Sequence, residues 1–274
     1  MRKFIYAVFI LMLCSSSFAA PAKVGVLSPA GRDENDVIKW TENVYDAESR
    51  ARMFRNSSKI VIFDEMNAMI MALRAGHIDR FTAGAYTAEY IAARNPDFVF
   101  ALSTRNVIMG LSIALNEKDK SKLYDINKAI LSMKNDGTLE RLTRENITEL
   151  GENDPIATEL PKIDGAETMK IAITGDAPPM DCILADGRPA GFNTAFLAEL
   201  SRRTGKNIQL VQVSAGARQA AISSRKVDAV FWTRSIYNLK REILPYPLDK
   251  MAGVVISEPY LLEGRATVSI RKEQ

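Results

Sequence analysis

Short apolar runs alternate with stretches of helical period along the first half of the chain. Runs rich in β-branched residues, such as KVGVL at 23–27 and KIVIF at 59–63, predict buried strands. After the second run, four apolar residues fall on one helix face before Gly76, which is expected to end the helix. These residues are Met66, Met69, Ile70 and Leu73. The alternation of strands and helices is typical of an α/β protein.

From Lys118 the pattern becomes purely helical. The apolar positions at helix spacing are Leu123, Ile126, Ile130 and Leu131. Gly137 predicts a left-handed stop, and Thr138 is expected to cap a second, shorter helix. Such a pair of helices usually ends a domain. Residues 151–166 follow, and their two prolines, two glycines and lack of an apolar period predict a linker.

A second α/β series begins after the linker. It opens with the strand KIAIT and continues with a helix that Gly205 ends. Asp79 and Asp228 end two helix-turn-strand units with the same internal spacing, and they lie 149 residues apart in the sequence. Lys23 and Lys170, at the start of the first strand of each series, lie 147 residues apart. The sequence therefore predicts two similar lobes.

The composition is that of an ordinary globular protein. The chain has 274 residues, of which 47% are hydrophobic and 25% charged, and it is long enough to bury one large core or two medium ones. The net charge of +3 includes Arg2 and Lys3 at the start of the chain. Without them the charge is close to zero, which argues against a nucleic-acid partner or an anionic membrane surface.

The first residues have the pattern of an export signal. A basic start precedes ten apolar residues and a run of small residues. We predict a signal peptide at residues 1–19 that is cleaved after Ala19. Ten apolar residues are too few to cross a bilayer, which needs about 20. A lipid anchor on Cys14 is the alternative, although Leu13 is a poor match before such a cysteine.

Few residues suggest catalysis or metal binding. Once the signal peptide is removed, Cys182 is the only cysteine, and His77 is the only histidine. Neither an intramolecular disulfide nor a metal cluster is expected. The phosphate-binding motif G-x-x-x-x-G-K-[ST] is absent, and no Ser-His-Asp arrangement stands out. The sequence thus predicts no cofactor, no metal and no catalytic residue.

Three motifs in the second half belong together. They are GDAPPM at 175–180, DGRPAGFN at 186–193 and SEPY at 257–260. In combination they resemble the extracytoplasmic solute-binding proteins of family 3, the periplasmic receptors of polar amino-acid ABC transporters. The resemblance implies an α/β, two-lobed type 2 periplasmic-binding-protein fold with a hinge cleft. It also implies a monomer that binds a small-molecule solute, with an ABC transporter permease in the inner membrane as its partner.

The order of these segments differs from that of the family. An ordinary member places a V-G-V-L-x-G strand after the S-x-P-Y crossover and ends with a helix pair, whereas here KVGVLSPAG comes first and the helix pair precedes lobe one. This order implies a circular permutation. A fusion of two receptor fragments fits less well, because no segment is duplicated or missing. The implied bounds are a signal peptide at 1–19, lobe two at 22–104, the crossover and closing helices of lobe one at 105–150, the linker at 151–166, lobe one at 167–262 and a crossover strand at 263–274. The helices of 118–146 should then pack on the lobe built from residues 169–246.

Several positions that hold amino acids in the family have changed. The stacking aromatic is replaced by Ala177, and the aspartate that holds the α-ammonium group falls at Gly84. Lys240 occupies the position of the arginine that binds the ligand carboxylate in the family. Arg241 is one residue further along the chain. A lost acid and a retained cation argue against a zwitterion and for a carboxylate or another anion. The predicted cleft residues are Asp176, Met180, Trp232, Thr233, Arg234, Ser235, Lys240 and Arg241 from lobe one, with Ser28, Gly31, Arg32 and Tyr86 from lobe two.

The function implied by the resemblance is the capture of a small polar or anionic solute, without catalysis. Two alternatives stay open. One is a ligand-sensing or interaction protein on the same fold without a transport role. The other is an enzyme like cyclohexadienyl dehydratase, which needs a carboxylic acid in the cleft as a proton donor, and for which Asp176 is the candidate.

Overall fold

The structure is a computed structural model that describes residues 21–33, 35–38, 58–103, 107–238 and 246–271. The predicted signal peptide lies outside these ranges. So do Lys240 and Arg241, the two candidates for binding a ligand carboxylate. The strands are β1 (Ala22–Leu27), β2 (Ser58–Phe63), β3 (Arg80–Gly84), β4 (Phe98–Leu102), β5 (Val107–Asn116), β6 (Thr168–Ile173), β7 (Asp176–Ala177), β8 (Asp181–Ile183), β9 (Pro189–Ala190), β10 (Asn207–Gln212), β11 (Ala229–Asn238), β12 (Tyr246–Pro247), β13 (Val254–Ile256) and β14 (Leu261–Ile270). The helices are α1 (Met66–Arg74), α2 (Ala85–Ala93), α3 (Lys122–Asn135), α4 (Thr138–Thr143), α5 (Phe192–Thr204) and α6 (Arg218–Ser223), with a helical turn at 35–38 and short non-α turns at Glu117–Asp119 and Arg144–Thr148.

Two lobes are joined through one continuous sheet. Its strand order is β10-β6-β11-β5-β14-β3-β1-β2. Strands β10, β6 and β11 run parallel in lobe one, and β3, β1 and β2 run parallel in lobe two. Strand β14 pairs with β5 through Leu261–Gly264 and with β3 through Arg265–Ser269, so it passes from one lobe to the other. Antiparallel β5 and β14 are therefore the crossover strands, about which lobes of this kind can rotate.

The helix pair α3 and α4 packs on lobe one. Ile126, Ile130 and Leu142 share a buried core with Met169 and Phe196. Arg203 on α5 donates hydrogen bonds to Ser132 Oγ at 2.6 Å and Thr138 Oγ1 at 2.9 Å. These helices therefore pack on the sequence that follows them in the chain.

Two details of this helix pair differ from the sequence prediction. Leu131 is exposed, because the buried face of α3 runs through Ile126, Ala129, Ile130 and Met133. Thr138 is not the cap of α4: Gly137, with φ of 77°, precedes the helix, and Asp136 Oδ1 accepts the Thr138 N–H. Asp136 instead satisfies a free N–H at the start of α4, that of Thr138 itself.

The two helix-turn-strand units make the same hydrogen bonds. Asp79 N–H donates to Lys23 O at 2.9 Å, and the Lys23 N–H donates back to the Asp79 carboxylate at 2.6 Å. Asp228 and Lys170 repeat both bonds, each at 2.8 Å. In each lobe the aspartate thus fixes the start of the first strand, and the repeat seen in the sequence corresponds to a shared structural unit.

The predicted linker lies along lobe one. Residues 151–166 contain no helix or regular strand, and Ala157 makes a single bridge to Ala190. Near its end the linker is held by Asn207, which accepts a hydrogen bond from Ile163 N at 2.8 Å and donates one to Ile163 O at 2.9 Å. No helix in the described part of the chain combines the length and apolarity that a membrane crossing requires.

Candidate functional site: the interlobe cavity

A cavity lies between the two lobes, next to the crossover strands. Its volume is about 90 Å³. A single water needs at least about 10–15 Å³, so the cavity can hold more than one water or a small ligand group. Most of its wall is apolar, and its polar lining comes from both lobes and from β14. The polar residues are Thr82, Thr87, Asp181, Asn193, Arg234, Glu263 and Arg265.

Trp232 forms part of the lobe-one wall. Two guanidinium groups lie close to its ring, with Arg218 Cζ 4.3 Å and Arg234 Cζ 5.1 Å from the ring centre. Its indole N–H donates to Asp181 Oδ2 at 3.2 Å, and Thr174 donates to the same oxygen. Burial raises the pKa of Asp181, although these hydrogen bonds oppose the shift. The protein thus holds one carboxyl oxygen of Asp181, whereas Oδ1 has no hydrogen-bond partner among the described residues.

Asp249 binds both of the arginines that flank Trp232. Its carboxylate accepts from Arg218 Nη2 at 3.0 Å, from Arg234 Nε and Nη2 at 2.9 Å, and from the Arg234 N–H at 2.7 Å. Asp249 and Arg218 are at most 1% exposed. Burial lowers the pKa of Arg218 to about 10, and the two arginine charges outweigh burial to hold the pKa of Asp249 below its usual value. Arg218 and Asp249 are therefore both charged at neutral pH.

The loop after β1 inserts from lobe two into this charged cluster. Ala30 is fully buried, donates its N–H to Asp249 Oδ1 at 2.7 Å and accepts from Lys250 N at 2.8 Å. Arg218 and Arg234 each donate to Ser28 O at 3.2 Å. Gly31 has φ of 70°, and a Cβ there would overlap the backbone of Lys250. The loop therefore joins the two lobes directly.

Asp176 makes a second direct contact between the lobes. Its Oδ2 accepts the Met66 N–H at 2.6 Å, at the first turn of α1 in lobe two. A carboxylate is favourable there, because the first N–H groups of a helix lack intrahelical partners. The N-terminus of α1, which a ligand anion might otherwise occupy, is thus filled by a side chain of lobe one.

Glu263 provides a buried carboxyl group from β14. It is 5% exposed, and its Oε2 accepts the Tyr86 N–H at 3.3 Å. A Cβ atom at Gly84 would overlap this carboxyl group, so only glycine leaves the space that Glu263 occupies. Burial raises the pKa of Glu263 to about 7, with the Tyr86 hydrogen bond opposing the shift.

Other polar atoms around the cavity have no hydrogen-bond partner in the described residues. Both amide atoms of Asn193 are unpaired, although the residue is 1% exposed and lines the cavity. Asp181 Oδ1, on the wall of the same cavity, is also buried and unpaired. Buried polar groups normally find partners, so a ligand or water is expected to supply them.

The structure places some of the twelve predicted cleft residues in the cavity wall and others in contact with protein groups elsewhere. Met180, Trp232 and Arg234 line the cavity. Three others bind protein instead: Asp176 contacts Met66, Ser28 O contacts the arginines, and the Tyr86 N–H contacts Glu263.

The remaining described members of that set do not line the cavity. Arg32 donates to Leu248 O at 2.7 Å and Pro247 O at 2.5 Å, and Gly31 packs on Lys250. Thr233 and Ser235 are buried within β11. Sequence reasoning missed Arg218, Asp249 and Glu263. An isolated acid in the apolar stretch YLLEG was the one signal for Glu263.

Comparisons with known proteins agree with this geometry at the level of family and fold. Residues 169–245 match the sequence profile of the bacterial extracellular solute-binding proteins, family 3. No curated protein sequence is significantly similar to the chain. The GluR0 ligand binding core in complex with L-glutamate is 12% identical, with a TM-score of 0.44 over 93% of this chain and 87% of that one.

Two further solved structures come from different functional classes. The periplasmic aliphatic sulphonate binding protein SsuA from Escherichia coli is 14% identical, with a TM-score of 0.38 over 92% of this chain and 65% of that one. CbnR, a LysR family transcriptional regulator, is 9% identical, with a TM-score of 0.44 over 93% and 65%. These likenesses carry no information about the ligand. The two lobes and two crossover strands form the type 2 periplasmic-binding-protein fold, and the match over residues 169–245 confirms the predicted resemblance to the family 3 solute-binding proteins.

Proposed function

We propose that the protein is a periplasmic solute-binding protein that holds a small polar or anionic solute, of amino-acid size, between its lobes. The observation that carries this proposal is the interlobe cavity, which draws its walls from both lobes and from the crossover strands. A site shared by two hinged bodies couples ligand binding to lobe closure. Binding without catalysis is the activity we infer.

The family supplies the rest of the proposal. An extracellular solute-binding protein normally delivers its ligand to an ABC transporter permease, so we propose this partner and a periplasmic location. We also propose that the chain acts as a monomer. The predicted signal peptide at residues 1–19 is consistent with export.

A circular permutation relates this chain to ordinary family members. In support, Ser269 on β14 and Val24 on β1 both pair with Arg80 of β3, one on each side. Because neighbouring strands lie about 4.8 Å apart, these two residues are about 10 Å apart. A loop of about four residues would join the end of β14 to the start of β1. Residues 151–166 would then connect the two positions that are the C-terminus and the N-terminus of an ordinary family member.

A chain with restored family order tests the permutation. Ile270 is joined to Ala22 by a four-residue loop, and the chain is opened within residues 151–166. We expect the same far-ultraviolet circular dichroism and a free energy of unfolding within about 1 kcal/mol, because short loops differ little in closure entropy. A control opened within β6 should not fold. Failure of the reordered chain to fold would contradict the permutation.

The binding function is tested by calorimetry against a panel of amino acids, organic anions and amines. A true ligand at 100 times its Kd should raise the free energy of unfolding by about 2.7 kcal/mol. Replacing Ala83, a small residue that lines the cavity, with tryptophan fills the space and should abolish binding. Absence of binding by every class of solute would refute the proposal, as would equal binding by Ala83→Trp.

A ligand-sensing or interaction protein on the same fold is the second candidate. The direct hydrogen bonds between lobes favour it, because Asp249 with Ala30 and Asp176 with Met66 hold the lobes together without a solute. Small-angle X-ray scattering separates the two candidates. A transport receptor should contract on ligand addition, whereas a protein whose lobes are already closed should keep the same radius of gyration.

A further inference from the structure

Asn193 is a buried amide whose two polar atoms, Oδ1 and Nδ2, have no hydrogen-bond partner among the described residues. The residue is 1% exposed and lines the interlobe cavity. A buried amide in this state destabilises a protein, because it has given up its hydrogen bonds to water and gained none in return. The two unpaired atoms therefore indicate a polar partner that enters the cavity.

Backbone contacts hold Asn193 beside Asp181. The Asn193 N–H, in the first turn of α5, donates to Met180 O at 2.8 Å, so Asn193 lies next to the residue that follows Met180 in the chain. Asp181 is also 1% exposed and lines the same cavity. Thr174 and Trp232 hold its Oδ2, whereas its Oδ1 has no partner among the described residues. Three unpaired polar atoms thus belong to one wall of the cavity.

The three unpaired atoms define the chemical group that would complete them. Asn193 presents a donor and an acceptor side by side, and the Asp181 oxygen adds a second acceptor. A primary carboxamide carries the complement: its carbonyl accepts from Nδ2, one N–H donates to the Asn193 oxygen, and the other N–H remains for the Asp181 oxygen. A ketone lacks the donors. A carboxylate lacks them too, and it would place negative charge against two acceptor oxygens.

We propose that Asn193 and Asp181 form a subsite for the primary carboxamide group of a small neutral solute. This inference rests on the proposed function and names the solute class of the same cavity. Val26, Met66 and Met109 supply apolar wall for a short hydrocarbon body. A cavity of about 150 Å³ holds benzene, so this one, of about 90 Å³, fits a smaller molecule.

The nearest cation of lobe one is engaged by the protein itself. Arg234 lines the cavity, but its Nε and Nη2 both donate to Asp249 at 2.9 Å, and Nη2 also donates to Ser28 O. A guanidinium group bound in this way has already found its counterion, so it does not require a ligand carboxylate. The polar groups on this wall that lack partners are neutral donors and acceptors, and they favour an uncharged amide.

Three probes of equal size test the inference on the whole chain. Propionamide, 2-butanone and propionate have the same number of heavy atoms and differ in the group that would face Asn193. A solute this small is limited to a Kd of about 1 μM to 1 mM, so calorimetric titrations extend to roughly 50 mM. We expect propionamide to bind at least about 10-fold more tightly than the ketone or the carboxylate, because only the amide pairs all three atoms.

Two variants connect this selectivity to Asn193. Asn193→Leu keeps the approximate size of the side chain and removes both polar atoms. Propionamide should then bind about 10-fold more weakly and the ketone about as tightly as before, so that the ratio of the two affinities approaches one. A purely structural role would weaken both probes by the same factor. Asn135→Leu, the same change at the exposed end of α3, should keep the affinities of the parent protein.

The contrary outcomes separate this inference from the proposed function. Equal affinity for the amide and the ketone, or an unchanged ratio in Asn193→Leu, would overturn the subsite and leave water as the partner of Asn193. If Asn193→Leu does not fold, the ratio in the parent protein decides the question. Binding of another solute of the panel without binding of propionamide would overturn the carboxamide class and leave the solute-binding function standing. Failure of propionamide together with the whole panel would refute both.

Discussion

Replacement of Asp249 by alanine is expected to lower the free energy of unfolding by about 3–5 kcal/mol, because it leaves Arg218 and Arg234 buried without their counterion. In the parent protein burial lowers the pKa of Arg218 to about 10 and Asp249 opposes that shift, so the variant loses the group that favours the charged guanidinium. The variant also loses the hydrogen bond from Ala30 that connects the lobes. Urea denaturation at pH 7, followed by circular dichroism, measures the loss.

Asp186→Ala is the matched control for this prediction. Asp186 pairs with Arg188 at 2.7 Å, but both side chains are at least half exposed. Exposed ion pairs contribute about 0–1 kcal/mol, so this variant should unfold at nearly the same urea concentration as the parent protein. Similar losses for the two aspartates would show that the Asp249 cluster is hydrated and does not stabilise the fold as inferred.

The stability of the unliganded protein should fall as the pH rises from 5 to 7.5 because Glu263 must ionise in a buried site. Its pKa is about 7 in the folded protein, against 4.5 for a free side chain. Between these values the folded state holds a proton that the unfolded state has lost, so raising the pH favours unfolding. A shift of this size corresponds to about 3 kcal/mol.

Glu263→Gln isolates this contribution. The difference in unfolding free energy between parent and variant, measured in urea at four pH values, should move by about 2–3 kcal/mol in favour of the variant as the pH rises. Asp181, whose pKa is also raised by burial, affects both proteins alike and cancels in the difference. Exposed Glu258→Gln should give a constant difference. A constant difference for Glu263→Gln would mean that its carboxyl group is solvated.

Local patterns were sufficient to predict most elements of the fold. The apolar period located α1 and α3, and Gly205 marked the end of α5. The matching aspartates at 79 and 228 indicated two related lobes, because each acid acts within a unit that is short in sequence. Leu131 was assigned to the wrong face, since several helix faces satisfy a short apolar pattern and the neighbouring element decides among them.

The cavity was harder to predict because its polar groups come from distant parts of the sequence. Asp249 meets Ala30 across 219 positions, and Glu263 meets Tyr86 across 177. The contact between Glu263 and Gly84 depends on the register of β14 against β3, which no local pattern encodes. Gly84 in the sequence therefore suggested a missing acid, whereas the structure places one beside it.

The central position of β14 has a consequence for how the molecule can be assembled. This strand comes last among the elements in chain order, yet it lies between β5 and β3 in the middle of the sheet. Lobe two is therefore not encoded by one uninterrupted stretch, and a fragment that ends before β14 lacks part of its sheet, whereas lobe one is continuous from β5 to the first residues of β14. During synthesis on the ribosome, both sheets stay incomplete until residues 261–270 have emerged.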